Sequence, residues 1–79
     1  MKATIRHKKK MARLIFTNNQ ITIIAPSKRE KLWIRMCLRI YSIALDIRLK
    51  RTEKGYTVRK EDIYKVEFKL IPALKAIGK

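Results

Sequence analysis

The chain has 79 residues, 47% of them hydrophobic, and its 21 Lys and Arg residues against 6 Asp and Glu residues give a net charge of +15. A chain of this length forms at most one domain, and it buries only about 60% of the surface that its unfolded form exposes. One cysteine excludes an internal disulfide, and two glycines and two prolines argue against a low-complexity chain. The composition predicts one small packed domain in a reducing compartment.

The first elements in chain order are a basic arm and a hairpin. Residues 1–11 are basic and carry no sustained hydrophobic period, which predicts a flexible arm in front of a domain at 12–79. The segments 12–17 and 21–25 are short, apolar and rich in β-branched residues, and Asn18 and Asn19 lie between them. Asparagine tolerates the positive φ of a tight turn, so this stretch predicts a β-hairpin.

A long helix follows at about 27–45. Ser27 and Glu30 have the spacing of a capping box, which predicts the start of the helix. At 100° per residue, the polar residues of the helix fall in one stripe about 80° wide that contains Arg35 and Arg39. This stripe predicts that the two arginines face outward. The apolar remainder is wider than a sheet covers, which predicts that a second copy, a partner or the C-terminal segment covers the rest. The predicted interface residues are Trp33, Met36, Cys37, Ile40 and Tyr41.

The second half of the chain predicts more strands. Alternating residues predict strands near 46–51, 56–59 and 63–71, with Gly55 supplying a positive φ in the turn between the first two. The segment from about residue 60 also fits a helix through Ile63, Val66 and Leu70, but Pro72 within that pattern favours the strand. A short final helix would begin at Pro72 and end before Gly78. The predicted fold is a small α+β domain in which the long helix packs on an antiparallel sheet.

Few side chains in the sequence point to catalysis or to a cofactor. His7 lies in the basic arm and is expected to be solvated, and Cys37 lies on the apolar side of the helix. Glu67 and Lys69 on the predicted strand resemble the E-x-K half of the PD-(D/E)xK nuclease motif, with Asp46 or Asp62 as an upstream acid. The match covers three residues, and no Pro-Asp pair precedes it. We predict no catalytic residue, no metal and no cofactor, and keep a metal-dependent nuclease as a distant third hypothesis.

The charge gives the leading functional hypothesis, because a strongly basic chain favours a polyanionic partner. The basic residues form an arm cluster, a helix cluster and a cluster after residue 47. The predicted nucleic-acid-binding residues are Arg6, Lys8, Lys9, Lys10, Arg13, Lys28, Arg29, Lys31, Arg35, Arg39, Arg48, Lys50 and Arg51. Anionic lipid and acidic protein surfaces are the alternative partners.

Two functions are therefore expected. The first is a non-enzymatic accessory protein that binds the phosphate backbone of DNA or RNA largely independently of sequence. The second is a structural or adaptor subunit of a virion, a ribonucleoprotein or a mobile-element complex, docking through the apolar helix as a homo-oligomer or in a larger assembly. The apolar stretch at 32–47 is shorter than a bilayer requires and contains charged residues, so no membrane span is expected. The segment 11–20 lacks the apolar run of a signal peptide, which predicts a cytoplasmic or virion location.

Overall fold

The computed structural model describes residues 1–77. Five antiparallel strands form one sheet, and helices cover one of the two faces of this sheet. The spatial order of the strands is β1-β2-β3-β5-β4, so β1 and β4 are the edges. The strands are β1 (Lys2–His7), β2 (Lys10–Thr17), β3 (Gln20–Ile24), β4 (Leu49–Arg51) and β5 (Gly55–Val58). The predicted α+β class is confirmed.

Alternation along the strands explains why only one face of the sheet is covered. Ala3, Ile5, Leu14, Phe16 and Ile21 belong to the buried side, and every second residue between them points to the other side of the sheet. A period of two is what one packed face and one solvated face require. The solvated side carries no covering element among residues 1–77, so its side chains are available to solvent or to a partner.

The hairpin and the long helix agree with the prediction. Asn18 has a φ of 56° in the turn between β2 and β3, and α1 (Lys28–Ala44) begins after the N-cap Ser27. The Ser27 hydroxyl donates to the Glu30 carboxylate at 3.1 Å, and the Glu30 N–H lies 3.5 Å from the same hydroxyl, a long contact. Helix α1 packs on β2 and β3 through Ile34 and Leu38, which are fully buried.

A Schellman motif ends α1 and displaces the start of β4. The N–H of Asp46 donates to the carbonyl of Ile43 and the N–H of Ile47 to that of Ser42, and Asp46 has a φ of 56°. The predicted strands near 46–51 and 56–59 are present, but β4 is shorter because this turn uses the backbone groups before Leu49.

The predicted flexible arm at 1–11 is wrong, because residues 2–7 form the edge strand β1, which pairs with β2 along its whole length. Ala3 and Ile5 are buried in the core, which anchors the strand. His7, expected to be solvated, is half-buried; its Nδ1 atom lies 3.1 Å from the carbonyl oxygen of Ile77, and its ring stacks on Trp33. The chain turns at Lys8, whose φ is 57°, so β1 and β2 form a second hairpin.

The predicted strand at 63–71 is also wrong, because this region is helical. Four helical elements follow one another here: a 3-10 turn (Lys60–Asp62), α2 (Ile63–Lys65), a π-helical turn (Val66–Leu70) and α3 (Ile71–Ile77). We call residues 60–77 the C-terminal helical segment. Val66, Leu70 and Leu74 are buried at a spacing of four residues, whereas Tyr64 and Phe68 are exposed. The apparent period of two arose because Val66 and Leu70 fit both patterns.

Pro72 does not break this segment because a wider turn precedes it. The N–H of Ile71 donates to the carbonyl of Val66, five residues earlier, which is the bond of a π-helical turn. Such a turn reduces the clash between a proline ring and the carbonyl four residues before it. The final helix is therefore α3, which packs against β1; Gly78, predicted to follow it, lies outside the described residues.

Candidate nucleic-acid interface

The side of the molecule between α1 and the edge strand β4 contains a basic cleft of about 500 Å³, which we call the arginine cleft. Helix α1 contributes Arg39, the turn after α1 contributes Arg48, and β4 contributes Arg51. Among the described residues none of these three guanidinium groups pairs with a carboxylate, and no acidic side chain lines the cleft.

Each of the three arginines is positioned by its own backbone element. The N–H of Arg48 donates to the buried carboxylate of Asp62, 3.2 Å away, which holds the chain just before β4. Arg51 faces α1 because it lies opposite Tyr56 in the β4–β5 register, on the side of the sheet that the helix covers. Arg39 is exposed on α1 one turn after the buried Arg35.

Apolar and polar groups complete the walls of the cleft. Ile47 and Tyr56 form apolar surface, and Ser42 donates its hydroxyl to the carbonyl oxygen of Arg39 at 2.7 Å. Low-polarity walls strengthen a charge–charge attraction relative to bulk water. The sequence did not point to Ser42 or Tyr56 as site residues, because only the pairing of β5 with β3 places Tyr56 on the face of the sheet that α1 covers.

A second basic cleft of about 510 Å³ adjoins the first and shares Arg51 with it. Lys28 and Lys31 from the first two turns of α1 line this cleft together with Glu53 from the β4–β5 turn. The Glu53 carboxylate offsets part of this positive charge, whereas no acidic side chain lines the arginine cleft. The two clefts nevertheless bring the helix cluster and part of the cluster after residue 47 together along one edge.

The prediction that Arg35 faces outward is wrong. Arg35 is only 8% exposed, and its guanidinium donates to the carbonyl oxygens of Thr52, Glu53 and Gly55 at 3.1–3.3 Å. These bonds satisfy the guanidinium within the fold, since each carbonyl is an acceptor. Arg35 therefore supports the floor of the second cleft, while Arg39 is the exposed member of the predicted pair.

The predicted arm cluster lies away from both clefts. Lys2, Arg6 and Arg13 alternate out of β1 and β2 onto the uncovered sheet face, where Arg13 lies opposite Thr4. The remaining predicted basic residues are spread over the surface: Lys8 and Lys9 in the β1–β2 turn, Lys10 at the start of β2, Arg29 in the first turn of α1, and Lys50 on β4. The uncovered sheet face is thus a second basic surface.

The predicted interface residues are grouped around α1, but their exposure differs. Met36 and Ile40 are exposed, whereas Trp33, Cys37 and Tyr41 are half-buried beside the core. Burial raises the pKa of the Cys37 thiol, an effect that the nearby Lys10 ammonium partly offsets. A raised pKa keeps this thiol protonated and weakly nucleophilic at neutral pH.

The nuclease hypothesis loses its predicted geometry. Glu67 and Lys69 lie in the π-helical turn and not on a strand. Asp62 is occupied by the Arg48 N–H and by Arg59, whose guanidinium lies 3.1 Å away. Within residues 1–77 no three His, Cys, Asp or Glu side chains are grouped closely enough to hold a metal ion.

Comparison of the chain with protein-family models, with curated proteins and with solved structures found no match. None of the helices within residues 1–77 has the length and apolar character needed to cross a membrane.

Proposed function

We propose that the protein is a small non-enzymatic nucleic-acid-binding accessory protein whose arginine cleft holds phosphate groups of DNA or RNA. The single observation that carries this proposal is the convergence of Arg39, Arg48 and Arg51 on one cleft that no acidic side chain of residues 1–77 lines. A guanidinium can donate two parallel hydrogen bonds to one phosphate, which makes arginine well suited to this ligand. The net charge of +15 adds long-range attraction to a polyanion.

The proposed binding is largely independent of base sequence. Readout of base edges usually requires a helix or a strand pair that enters a groove of the duplex. Helix α1 is held against the sheet through Ile34 and Leu38, its exposed side is largely apolar, and it contains no Asn or Gln side chain that could read a base. Contacts with phosphate fix the position of a protein on the nucleic acid without reading its sequence.

The test compares two triple variants with the same loss of charge. The cleft variant replaces Arg39, Arg48 and Arg51 by Gln, and the matched control replaces Lys2, Arg6 and Arg13 of the uncovered sheet face by Gln. Binding to mixed-sequence duplex DNA and to single-stranded RNA is measured by fluorescence anisotropy over a series of salt concentrations. Each phosphate contact contributes about 0.9 to the slope of log K against log salt for B-DNA. We therefore expect the cleft variant to flatten the slope for duplex DNA by about 2–3, and the control to flatten it much less.

Two results would contradict the proposal. If the cleft variant and the control flattened the slope of log K against log salt equally, net charge alone would drive binding and the arginine cleft would have no particular role. Absence of binding by the unmodified chain near physiological salt would remove the nucleic-acid function altogether. Vesicles of phosphatidylglycerol and phosphatidylcholine serve as a comparison, because an anionic lipid surface would also attract this charge.

A second candidate function, a structural or adaptor subunit, has its own supporting observation. Large apolar side chains of α1 are exposed on the side opposite its buried face. Exposed apolar patches of this kind are typical of protein–protein contact sites. Under this proposal α1 docks within an assembly, and the arginine cleft contacts packaged nucleic acid or an acidic protein surface. Substitutions of Met36 and Ile40, which are exposed on α1 but line neither cleft, would then abolish assembly and leave nucleic-acid binding by the isolated chain unchanged.

A further inference from the structure

We propose that the exposed side of α1 is covered by α1 of a second copy, packed antiparallel about a two-fold axis. The surface consists of Leu32, Met36, Ile40 and Ile43, which are 60%, 56%, 62% and 72% exposed. We call these four residues the apolar stripe. At 100° per residue they fall within about 80° of the helix circumference, opposite the face that carries Ile34 and Leu38.

The spacing of the stripe suits packing against another helix. Leu32, Met36 and Ile40 form one row of residues four apart, and such rows are the ridges that interlock when helices pack. An antiparallel two-fold arrangement places Leu32 opposite Ile43 of the other copy and Met36 opposite Ile40 of the other copy. An interface about a two-fold axis must be complementary to itself, and this stripe meets that condition because apolar residues occupy both halves.

The helix dipole and Asp46 favour the antiparallel orientation, against which Arg48 and Arg51 near the end of α1 act. Lys28 and Arg29 lie at the start of α1, whereas Asp46 lies just past its end and is exposed. Antiparallel packing brings the basic start of one helix beside Asp46 and the negative end of the other helix dipole. Parallel packing would instead place the two basic starts together, where like charges repel. No charged residue lies among the four stripe residues, but the exposed Arg39 flanks the stripe near its centre, so the dimer brings two arginines close together and high salt should favour it.

The apolar area is close to what a stable interface requires. At roughly 200 Å² for a fully exposed residue of this size, the stripe presents on the order of 500 Å² per copy, so two stripes together reach about 1,000 Å², the lower limit for a specific interface.

The structural or adaptor function requires a partner that covers the exposed side of α1, and the proposed dimer rests on that function with a second copy as the partner. Formation of the dimer does not depend on nucleic-acid binding. Two copies joined through α1 would carry two arginine clefts related by the two-fold axis. A long polyanion could then contact both clefts, which raises the overall affinity without any new contact. The test uses the chain without nucleic acid, so its outcome is separate from that of the salt titration.

Sedimentation equilibrium of the full chain measures the mass directly. In about 1 M salt the Debye length is only about 3 Å, so repulsion between the highly charged copies is screened. We expect a concentration-dependent transition to twice the 9.4 kDa mass of the chain. Ile40→Gln should raise the dissociation constant of the dimer by roughly tenfold or more, since it places a polar group at the centre of the interface. Ile24→Gln is the matched control, because Ile24 is 48% exposed on the uncovered sheet face.

Cross-linking tests the orientation. Leu32→Cys and Ile43→Cys are made separately in a Cys37→Ser background, and each protein is treated with a short bismaleimide alone and as a mixture. Residues 32 and 43 are 11 positions apart, about 16 Å along a helix. Antiparallel packing therefore predicts efficient cross-linking in the mixture and little in either protein alone.

Three outcomes would overturn the inference. A monomer at every concentration, with or without binding to anionic vesicles, would mean that no second copy covers the stripe. If Ile40→Gln and Ile24→Gln raised the dissociation constant of the oligomer equally, the interface would lie elsewhere on the molecule. Efficient cross-linking of each cysteine variant alone would indicate parallel packing. Circular dichroism of each variant confirms that it is folded, which is expected because the substituted side chains are exposed.

Discussion

Arg35 on α1 donates from its guanidinium to the carbonyl oxygen of Gly55, 3.3 Å away, at the end of the β4–β5 turn. The same group also reaches the carbonyls of Thr52 and Glu53 and lies over the ring of Tyr56 at 5.2 Å. A charged group tolerates burial when its donors find acceptors, and three carbonyl dipoles supply them here. Arg35 therefore fixes the turn that follows Arg51, and it supports the arginine cleft without lining it.

Arg35 and Arg39 are expected to respond differently to the same substitution. Arg35→Gln leaves the three carbonyls without their charged donor, so we expect the free energy of unfolding to fall by about 2–3 kcal/mol. Arg39→Gln changes an exposed residue, so stability should change by less than about 0.5 kcal/mol. Urea denaturation measures both. Nucleic-acid binding should depend on Arg39 more than on Arg35. Arg39→Gln should flatten the slope of log K against log salt by about 0.9, and Arg35→Gln should flatten it much less. Equal effects on stability would contradict the structural role of Arg35.

Asp62 is the second buried ionisable group that holds the cleft together. Its side chain is only 3% exposed, and it accepts hydrogen bonds from the Arg48 N–H and from the Arg59 guanidinium. Burial raises the pKa of Asp62, but the Arg48 N–H, the Arg59 guanidinium and the Lys65 ammonium together outweigh burial and lower the pKa below its ordinary value of 3.8. The folded state therefore favours the ionised carboxylate.

The lowered pKa gives a defined pH dependence. A carboxyl group whose pKa is lower in the folded state contributes stability that is fully present above its unfolded pKa and is lost as pH falls through the folded pKa. We expect Asp62→Asn to reduce the free energy of unfolding by about 2 kcal/mol at neutral pH. The difference should shrink below about pH 4 as the native carboxylate becomes protonated. Glu61→Gln, at an exposed neighbour, is the control. If the free energies of unfolding of the unmodified chain and of Asp62→Asn differed by the same amount at pH 7 and at pH 2, the stabilising role of the Asp62 carboxylate would be contradicted.

The elements predicted correctly from the sequence are those in which local patterns and tertiary packing agree. The Asn18–Asn19 turn and the Ser27 cap act through neighbouring backbone groups, so the hairpin and the start of α1 could be recognised without knowledge of the rest of the chain. The orientation of α1 could not be recognised in this way. Its polar stripe includes Arg35 and Ser42, which turn inward because the β4–β5 turn and the Arg39 carbonyl supply their partners.

The arginine cleft likewise depends on contacts that are distant in the sequence. Arg39 and Arg51 were both predicted to bind phosphate, but nothing in the local sequence places them on one cleft. That proximity requires β5 to pair with β3 and β4 to pair with β5, which brings the edge strand beside α1. The C-terminal helical segment was missed for a different reason: Val66 and Leu70 fit a period of two as well as a helical period.

Strand β1 should be essential to the fold, in contrast to a flexible arm. Ile5 is only 1% exposed within the core, so Ile5→Ala removes buried methyl groups and leaves a cavity. We expect a loss of about 2–5 kcal/mol in the free energy of unfolding, as for other large-to-small core substitutions. Thr4→Ala, at the exposed neighbouring position, should change stability by less than about 0.5 kcal/mol. Thermal denaturation followed by circular dichroism measures both, and similar melting temperatures for the two variants would indicate that β1 contributes little.

We expect Gly55 to tolerate no side chain. The reason is steric and is not the positive φ that the sequence predicted for this turn. The φ of Gly55 is not in the left-handed region, but a Cβ atom built on this residue would overlap the carbonyl oxygen of Ile21 in β3. The obstacle is backbone and cannot move without breaking the pairing of β3 with β5. We expect Gly55→Ala to lower the free energy of unfolding by roughly 3 kcal/mol or more, the upper range for an overpacked site.

The effect of Gly55→Ala should extend to the arginine cleft, because β5 is the only strand that joins β4 to the rest of the sheet within residues 1–77. Amide hydrogen exchange should show protection lost first in β4 and β5, while the β1–β2 pairing retains its protection longer. Thr22→Ala is the control, since Thr22 lies opposite Gly55 in the register and its truncation adds no atoms. If Gly55→Ala were as stable as Thr22→Ala, the close approach of β3 and β5 would be wrong, and with it the position of β4 beside α1.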